Sequence, residues 1–355
     1  MPRRDLSFPA VKTGILLLNL GSPEAPTAAA VRPYLREFLS DPRVIDIPAP
    51  LRWILLNAFI LPFRPRKSAE AYAKVWMPQG SPLLVHSRAF ADKLAARLGD
   101  DFRVSLGMRY GAPSIAAALD EVLREPLREL VIFPLYPQYA SSSTGTAVEE
   151  ALRALAPRWN IPAIRVAGAF FDHPAWLSAM AANAAPRLRA FRPDHVLFSY
   201  HGLPERHIRK SECASGHCLA ADDACCASMS ARNAYCYRAQ SFATTRSLIA
   251  RLDLDPARTS TAFQSRLGRT PWIKPYTDEA LVALAKSGVR RLAVFSPSFV
   301  ADCLETLEEM EIRGAESFRE AGGEALELIP ALNSSDVWVG AAAEILGISV
   351  PSNPS

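Results

Sequence analysis

Short apolar, β-rich runs alternate with helical patterns from one end of this chain to the other. That alternation leaves little room for anything but α/β units built on parallel sheets. The first half offers Gly14–Asn19, Val104–Met108, Leu130–Pro134 and Ala163–Ala167. The second half offers His195–Tyr200, Ser260–Phe263, Arg291–Phe295 and Ala325–Ile329. The two sets line up in order. NLGSP at 19–23 pairs with YHGLP at 200–204, LVIFPLYPQYASS pairs with LAVFSPSFVADC, and Arg109 and Arg266 follow corresponding strands. With 355 residues, the chain has the length of about two domains. The reading is two similar domains, each with a four-stranded parallel sheet flanked by helices. They join near residues 170–190, with a cleft between them.

Composition narrows the function classes. Hydrophobic residues at 49% and charged residues at 21% exclude a disordered chain. Forty Lys and Arg against 36 Asp and Glu leave +4, too weak and too dispersed for a nucleic-acid footprint. Met1–Ser7 leads into no apolar run before Lys12, so no secretory signal is expected; the cytoplasm is the default and structural disulfides are disfavoured. The segment Leu51–Phe63, LRWILLNAFILPF, is too short to span about 30 Å of hydrocarbon as a helix. Followed by Arg64, Arg66 and Lys67, it reads either as a lip on a membrane surface or as a core helix.

In open α/β sheets a ligand sits beyond the carboxyl ends of the strands. No Walker A sequence and no G-x-G-x-x-G after the first strand occurs there, so a phosphate cradle is missing. The post-strand segments carry Arg109, Tyr110, Tyr136, Tyr139, His201, Phe299, Asp302 and Glu305. Rings with a few charges suit a flat, apolar, partly anionic ligand. His201 stands at a strand end, where a neutral imidazole can bind a metal or take a proton, or simply hydrogen-bond to backbone. Asp302, Glu305 and Glu309 are spaced i, i+3, i+7, which stacks them on one face of a helix. Their plain alternative is pairing with the helix dipole, which suits Asp302 better than Glu309.

SYHGLPERH, TAFQSRLGRTPWIKPYTDE, SFVADCLETLEE and the late IPALN resemble the signature segments of ferrochelatases. So do LLLNLGSP, GSPL at 80–83, GMRYGAPSI and FPLYPQYASSSTG, over about residues 13–335. The resemblance implies two Rossmann-like domains of the class II chelatase type, at 1–175 and 176–345. It implies insertion of Fe²⁺ into protoporphyrin IX, giving protohaem as the last step of haem biosynthesis. His201 and Glu305 then look like the metal-site pair, and Asp302 and Glu309 like the rest of an acidic path for metal or protons. Arg109, Tyr110, Tyr136 and Tyr139 occupy positions that face the macrocycle or its propionates in relatives, and Phe299 joins the substrate-binding set. Leu51–Phe63 looks like the apolar lip at the porphyrin entrance, implying peripheral membrane contact. These residue types suit the chemistry. Metallation removes two pyrrole protons and strips water from the iron, work for a base near neutrality and for carboxylates. A chelatase for coproporphyrin or cobalt and a non-catalytic haem or porphyrin carrier are the alternatives. Leu20 in NLGSP, where coproporphyrin-type enzymes tend to carry Tyr, favours protoporphyrin.

Five of the six cysteines, Cys213, Cys218, Cys225, Cys226 and Cys236, fall within 24 residues, in an insertion at 211–240. A polar, Ala/Asp/Ser-rich loop is a poor home for core thiols, so metal ligation is the better reading. Zinc and an iron–sulfur cluster each want four thiolates, and no C-x2-C pair is present. Some ferrochelatases carry a [2Fe–2S] cluster. The lack of a Cys-rich tail after IPALN, and Ser141 where animal-type enzymes have a ligand, point to the internal type. Four of the five would serve, with Cys225 or Cys226 spare because adjacent ligands are awkward. Cys303 stays outside that set.

Overall fold

A computed structural model describes residues 11–213, 216–219, 224–266, 268 and 270–348. Residues 1–10, read above for a targeting signal, and 214–215 and 220–223 of the cysteine insertion lie outside the described residues.

Two four-stranded parallel sheets form the frame. The first takes β1 (Lys12–Ser22), β2 (Phe102–Gly111), β3 (Leu127–Pro134) and β4 (Ala163–Val166) in the order β2-β1-β3-β4. The second takes β5 (His195–His201), β6 (Thr259–Gln264), β7 (Arg291–Phe295) and β8 (Ala325–Ile329) in the order β6-β5-β7-β8. All eight expected strands form, and the two orders are the same when the halves are superposed in sequence. The likeness extends to details. After each second strand the chain doubles back, so that Met108 N–H donates to Pro113 O at 2.7 Å and Phe263 N–H to Pro275 O at 2.8 Å.

Strand placement follows hydrophobic pattern. Ile15 to Leu18 form a continuous apolar run rather than an alternating one and are fully buried, as a central parallel strand covered on both faces must be. β4, at the sheet edge, is exposed along its length. Each central strand ends in a glycine that its neighbour requires. A Cβ on Gly21, at φ +105°, would lie 1.8 Å from Tyr110 O, and one on Gly202 would lie 2.7 Å from Gln264 O. These close approaches explain the glycines of NLGSP and YHGLP.

The halves share one large core. Ile15 and Phe133 of the first sheet fall in the same buried cluster as Phe198 and Phe295 of the second. Phe90 stacks on Trp338 with centroids 5.3 Å apart, and Phe170 lies between Trp176 and Trp338. The helix Asp336–Ile345 therefore packs across onto Pro82–Leu98 and Pro174–Phe191, although it lies in the second half of the sequence.

Leu51–Phe63 is neither a free helix nor a core helix. Ala49–Ile54 is α-helical and Leu55–Ile60 widens into a π turn. Leu56 and Leu61 anchor it in the core, while Trp53 and Phe59 remain 66% exposed and Phe63 73%. Among the described residues no helix is long and apolar enough to cross a membrane.

Candidate active site

The carboxyl end of β5 presents His201. Its Nδ1 lies 2.7 Å from Gly202 O, and its backbone N–H donates to Ser298 Oγ at 3.1 Å. A carbonyl only accepts, so in the neutral ring Nδ1 carries the proton and Nε2 keeps its lone pair. The Phe299 ring stands 6.3 Å from the imidazole at 60°, fixing one side of it.

The acidic residues split into two groups. The helix begins at Leu304, with Cys303 as its cap, so Asp302 precedes it and does not share the helical stripe. The Asp302 carboxylate accepts from Asn333 Nδ2 (2.7 Å), Thr306 Oγ1 (3.0 Å) and Ala331 N–H (3.1 Å). Its backbone N–H donates in turn to Asn333 Oδ1 at 2.8 Å. Asp302 thus pins the segment after β7 to the IPALN turn, and the expected three-acid stripe reduces to Glu305 and Glu309. From Leu307 to Gly314 the helix is π-wound, and the i, i+4 pair stays near one turn apart.

Two residues from the end of β6 prop this pair. Gln264 Nε2 donates to Glu305 O at 2.8 Å. The Ser265 N–H donates to Glu309 Oε1 at 2.9 Å, and its hydroxyl to Oε2. Burial pushes the Glu309 carboxyl above the ordinary range and the nearby Glu305 charge adds to it; the Ser265 hydrogen bonds and the His201 charge oppose them. Glu309 therefore sits within electrostatic reach of both Glu305 and His201.

The first half contributes the facing wall. Tyr34 and Tyr72 hydrogen-bond to each other, and both feel the Glu305 charge. Arg64 also lies near Glu305 and Tyr34; its Nη1 is buried without a hydrogen-bond partner, and burial depresses its pKa. Tyr136 has a buried hydroxyl with no partner, near Tyr34 and Arg109. Sequence reasoning passed over Tyr34, Tyr72 and Arg64, because the tyrosines sit on ordinary amphipathic stripes and Arg64 read as surface charge beside the lip. A buried guanidinium nitrogen without a hydrogen-bond partner is the signal that the structure adds.

Three expected substrate contacts are placed differently. Tyr110 is fully buried, and its hydroxyl donates to Asp41 Oδ2 at 2.9 Å. Arg109 Nη2 reaches the same oxygen at 2.7 Å, and its Nε donates to Thr146 Oγ1 at 2.7 Å. Both side chains are spent on a buried carboxylate rather than turned to a ligand. Tyr139 lines a groove of about 660 Å³ with Arg43, Leu152, Val166 and Tyr235, and none of His201, Glu305 and Glu309 lines that groove.

The ferrochelatase family model matches residues 12–347. The chain belongs to the ferrochelatase family. It is 48% identical over 334 residues to a ferrochelatase of Coxiella burnetii, covering 94% of this chain and 93% of that one. It is 46% identical over 339 residues to a ferrochelatase of Legionella pneumophila, covering 95% and 99%. Among solved structures, SirB from Bacillus subtilis with Fe³⁺ aligns over 95% of this chain and 94% of its own at TM-score 0.51 and 12% identity. The sirohydrochlorin chelatase SirB from Bacillus subtilis subspecies spizizenii in complex with cobalt aligns over the same shares at TM-score 0.52 and 11% identity. The fold is thus the chelatase one, and ferrochelatases are enzymes.

The cysteine segment lies against this ferrochelatase frame at the start of the helix Tyr237–Arg251. Cys218, Cys225, Cys226 and Cys236 are buried, and Cys213 is exposed. Cys218 hydrogen-bonds to Cys236, and the Cys225 and Cys226 sulfurs lie 3.8 Å apart. Arg238 Nη1 donates to Cys226 Sγ at 3.2 Å. Burial raises the Cys218 and Cys236 thiols and pushes Cys226 up to about 12. The residue set apart is Cys213 rather than one of the adjacent pair. Ala224–Cys226 is a tight 3-10 turn, which lets both neighbours turn inward. Among the described residues no group of three or more His, Cys, Asp or Glu side chains is arranged to hold a metal ion.

Proposed function

We propose that this chain inserts Fe²⁺ into protoporphyrin IX, releasing two protons and forming protohaem. The observation that carries the reading is the His201 lone pair on Nε2 within electrostatic reach of the Glu309 carboxyl, which is itself within reach of Glu305. Iron and the macrocycle are the substrates. Glu305 and Glu309 are oxygen donors of the kind a hydrated ferrous ion accepts. His201 Nε2 takes a pyrrole proton as the metal enters, its ring kept in place by Gly202 O and Phe299. Arg64 and the Tyr136 hydroxyl supply donors for a propionate, which would satisfy two groups that otherwise stay buried and unpaired. Anaerobic metallation followed optically tests the assignment. His201→Ala should cut iron insertion at least about a hundredfold while porphyrin binding survives; near-normal insertion would remove His201 from the chemistry. Coproporphyrin and Co²⁺, run in parallel, separate the related chelatase activities, and binding without turnover would mark a carrier.

We further propose a thiolate-bound group at Cys218, Cys225, Cys226 and Cys236, which are buried and close enough to feel one another's charge although they are not arranged around a common centre. Burial disfavours the isolated anions of Cys218, Cys226 and Cys236, and bound iron or zinc would supply their counter-charge. Cys218, Cys225, Cys226 and Cys236 would hold a [2Fe–2S] cluster, which supplies one-electron chemistry when bound, with Arg238 hydrogen-bonded to one sulfur. Iron and acid-labile sulfide near two of each per chain would establish it; one zinc per chain would replace it. The Leu51–Phe63 lip, with exposed rings above Arg66 and Lys67, suits peripheral docking of a cytoplasmic enzyme on a membrane holding an apolar substrate.

A further inference from the structure

The cysteine segment and the loop after β3 meet at one side chain. Gln240, in the first turn of the helix Tyr237–Arg251, is 2% exposed. Its Oε1 accepts the Tyr139 backbone N–H at 2.6 Å, and its Nε2 donates to Ala234 O at 2.7 Å. An N–H can only donate and a carbonyl can only accept, so among side chains of this length only an amide satisfies both ends. Tyr139 lies in the 135–140 loop, which also carries Tyr136 with its unpaired hydroxyl; Ala234 stands two residues before Cys236.

The contact continues into the cysteines. Asn233 is buried. Its Nδ2 donates to Cys225 O at 2.6 Å and to Ser228 O at 2.9 Å. Its backbone carbonyl accepts the Cys236 N–H at 2.9 Å. Beside this chain of bonds the Tyr139 and Tyr235 rings meet edge-on with centroids 5.5 Å apart. The far side of the loop is tied to the same helix and to the other sheet, since Gln138 Nε2 donates to Thr244 Oγ1 at 3.1 Å and Pro297 O at 3.4 Å. The loop therefore belongs to the first sheet by sequence and takes its position from the second half.

We propose that Gln240 is a positioning residue through which the cysteine segment holds the 135–140 loop in the shape that binds porphyrin. The arrangement of the four thiols then sets porphyrin affinity without touching the His201 chemistry. This rests on the reading above that Tyr136 faces the substrate, and it holds whether iron–sulfur or zinc fills the thiols. A change in the segment moves Ala234 O, Gln240 follows, and the Tyr139 N–H follows Gln240. Tyr136, three residues before Tyr139, moves with it.

A double-mutant cycle tests the coupling. Protoporphyrin Kd is read by fluorescence titration without added Fe²⁺, for the full-length wild type, Gln240→Leu, Cys236→Ser and the double variant. Each single change should weaken binding about tenfold, within the usual range of coupling between sites. The double variant should be no worse than either single one. In turnover, Gln240→Leu should raise the porphyrin KM by the same factor and leave kcat and the Fe²⁺ KM unchanged, a split that general loosening of the fold does not give. Additive losses, an unchanged Kd in Gln240→Leu, or a fall in kcat alone would overturn the proposal. Should Gln240→Leu not fold, Gln240→Glu serves the same cycle, because it keeps an oxygen for the Tyr139 N–H and sets an acceptor oxygen against Ala234 O, breaking that end of the link. Metal and sulfide analysis of the wild type is scored separately: a chain without iron or zinc sinks the cofactor reading, while the cycle still decides the coupling. Conversely, if Tyr136→Phe leaves the porphyrin Kd unchanged, the substrate-facing reading fails on its own.

Discussion

Replacing Asp41 with alanine removes one carboxylate that four donors share: Arg109, Tyr110, Thr146 and the Arg43 backbone N–H. Burial by itself raises the Asp41 pKa, but the Thr146, Arg43 and Tyr110 hydrogen bonds and the Arg109 charge outweigh it and hold the carboxyl below its usual range. The Arg109 side chain is only 16% exposed, so the variant leaves a largely buried cation unpaired. Breaking such a pair from one side costs about 3–5 kcal/mol, and an orphaned Tyr110 hydroxyl adds about 1 more. Thr146 loses less, since its oxygen still accepts from Arg109 Nε. At about 2 °C per kcal/mol for a chain of this size, the melting temperature should fall by about 8–12 °C. Removing both partners in Asp41→Ala/Arg109→Ala should recover part of that loss, because no unpaired charge remains. Thermal melts followed by circular dichroism measure the fall, and the porphyrin KM, taken well below the transition, is expected to stay within about threefold for Arg109→Ala. An Arg109→Ala variant with an unchanged melting temperature and a tenfold higher porphyrin KM would refute the structural role and restore Arg109 to the substrate.

Glu309→Gln should change the pH profile of stability. The native carboxyl titrates above its unfolded value, so its contribution is fully present in acid and is lost as pH rises through the raised pKa. The melting temperature of the variant relative to wild type should therefore climb as pH rises above the ordinary carboxylate range; a flat difference would contradict the placement of the Glu309 charge. Asp46 behaves oppositely. Burial raises it, but the Lys210 and Arg206 hydrogen bonds prevail and bring it to about 2. Its stabilisation is present above the unfolded value near 4 and disappears as pH falls towards 2. Asp46→Asn should cost about 1–2 kcal/mol at pH 7 after solvent screening, measured by chemical denaturation, and almost nothing near pH 2. For the lip, Trp53→Ser/Phe59→Ser should lower sedimentation with anionic liposomes at least about tenfold, with iron insertion into detergent-solubilised porphyrin retained; undiminished sedimentation would place membrane contact elsewhere.

The architecture was readable because it is written in local pattern. Apolar runs fix the eight strands, and the glycines at 21 and 202 mark the turns where a backbone carbonyl leaves no room for a Cβ. His201, Glu305 and Glu309 were readable for the same reason, since strand ends and helical spacing put chemistry-bearing side chains at predictable places. Leu51–Phe63 stood between two readings until burial divided it. Leu56 and Leu61 turn inward and Trp53, Phe59 and Phe63 outward, a choice made by the helices it rests on.

Sequence by itself determined the duplicated α/β frame, the family, and the residue types gathered at the strand ends, because each depends on neighbours within one element or one turn. Only tertiary structure decided which of those residues remain free. Asp302 is held by Asn333, 31 positions away, and Arg109 and Tyr110 by Asp41, 68 and 69 positions away. Arg64 came near Glu305, 241 positions away, only when the two halves packed together. A buried polar group must find a partner, and whether that partner is another side chain or a ligand depends on contacts that no local pattern records.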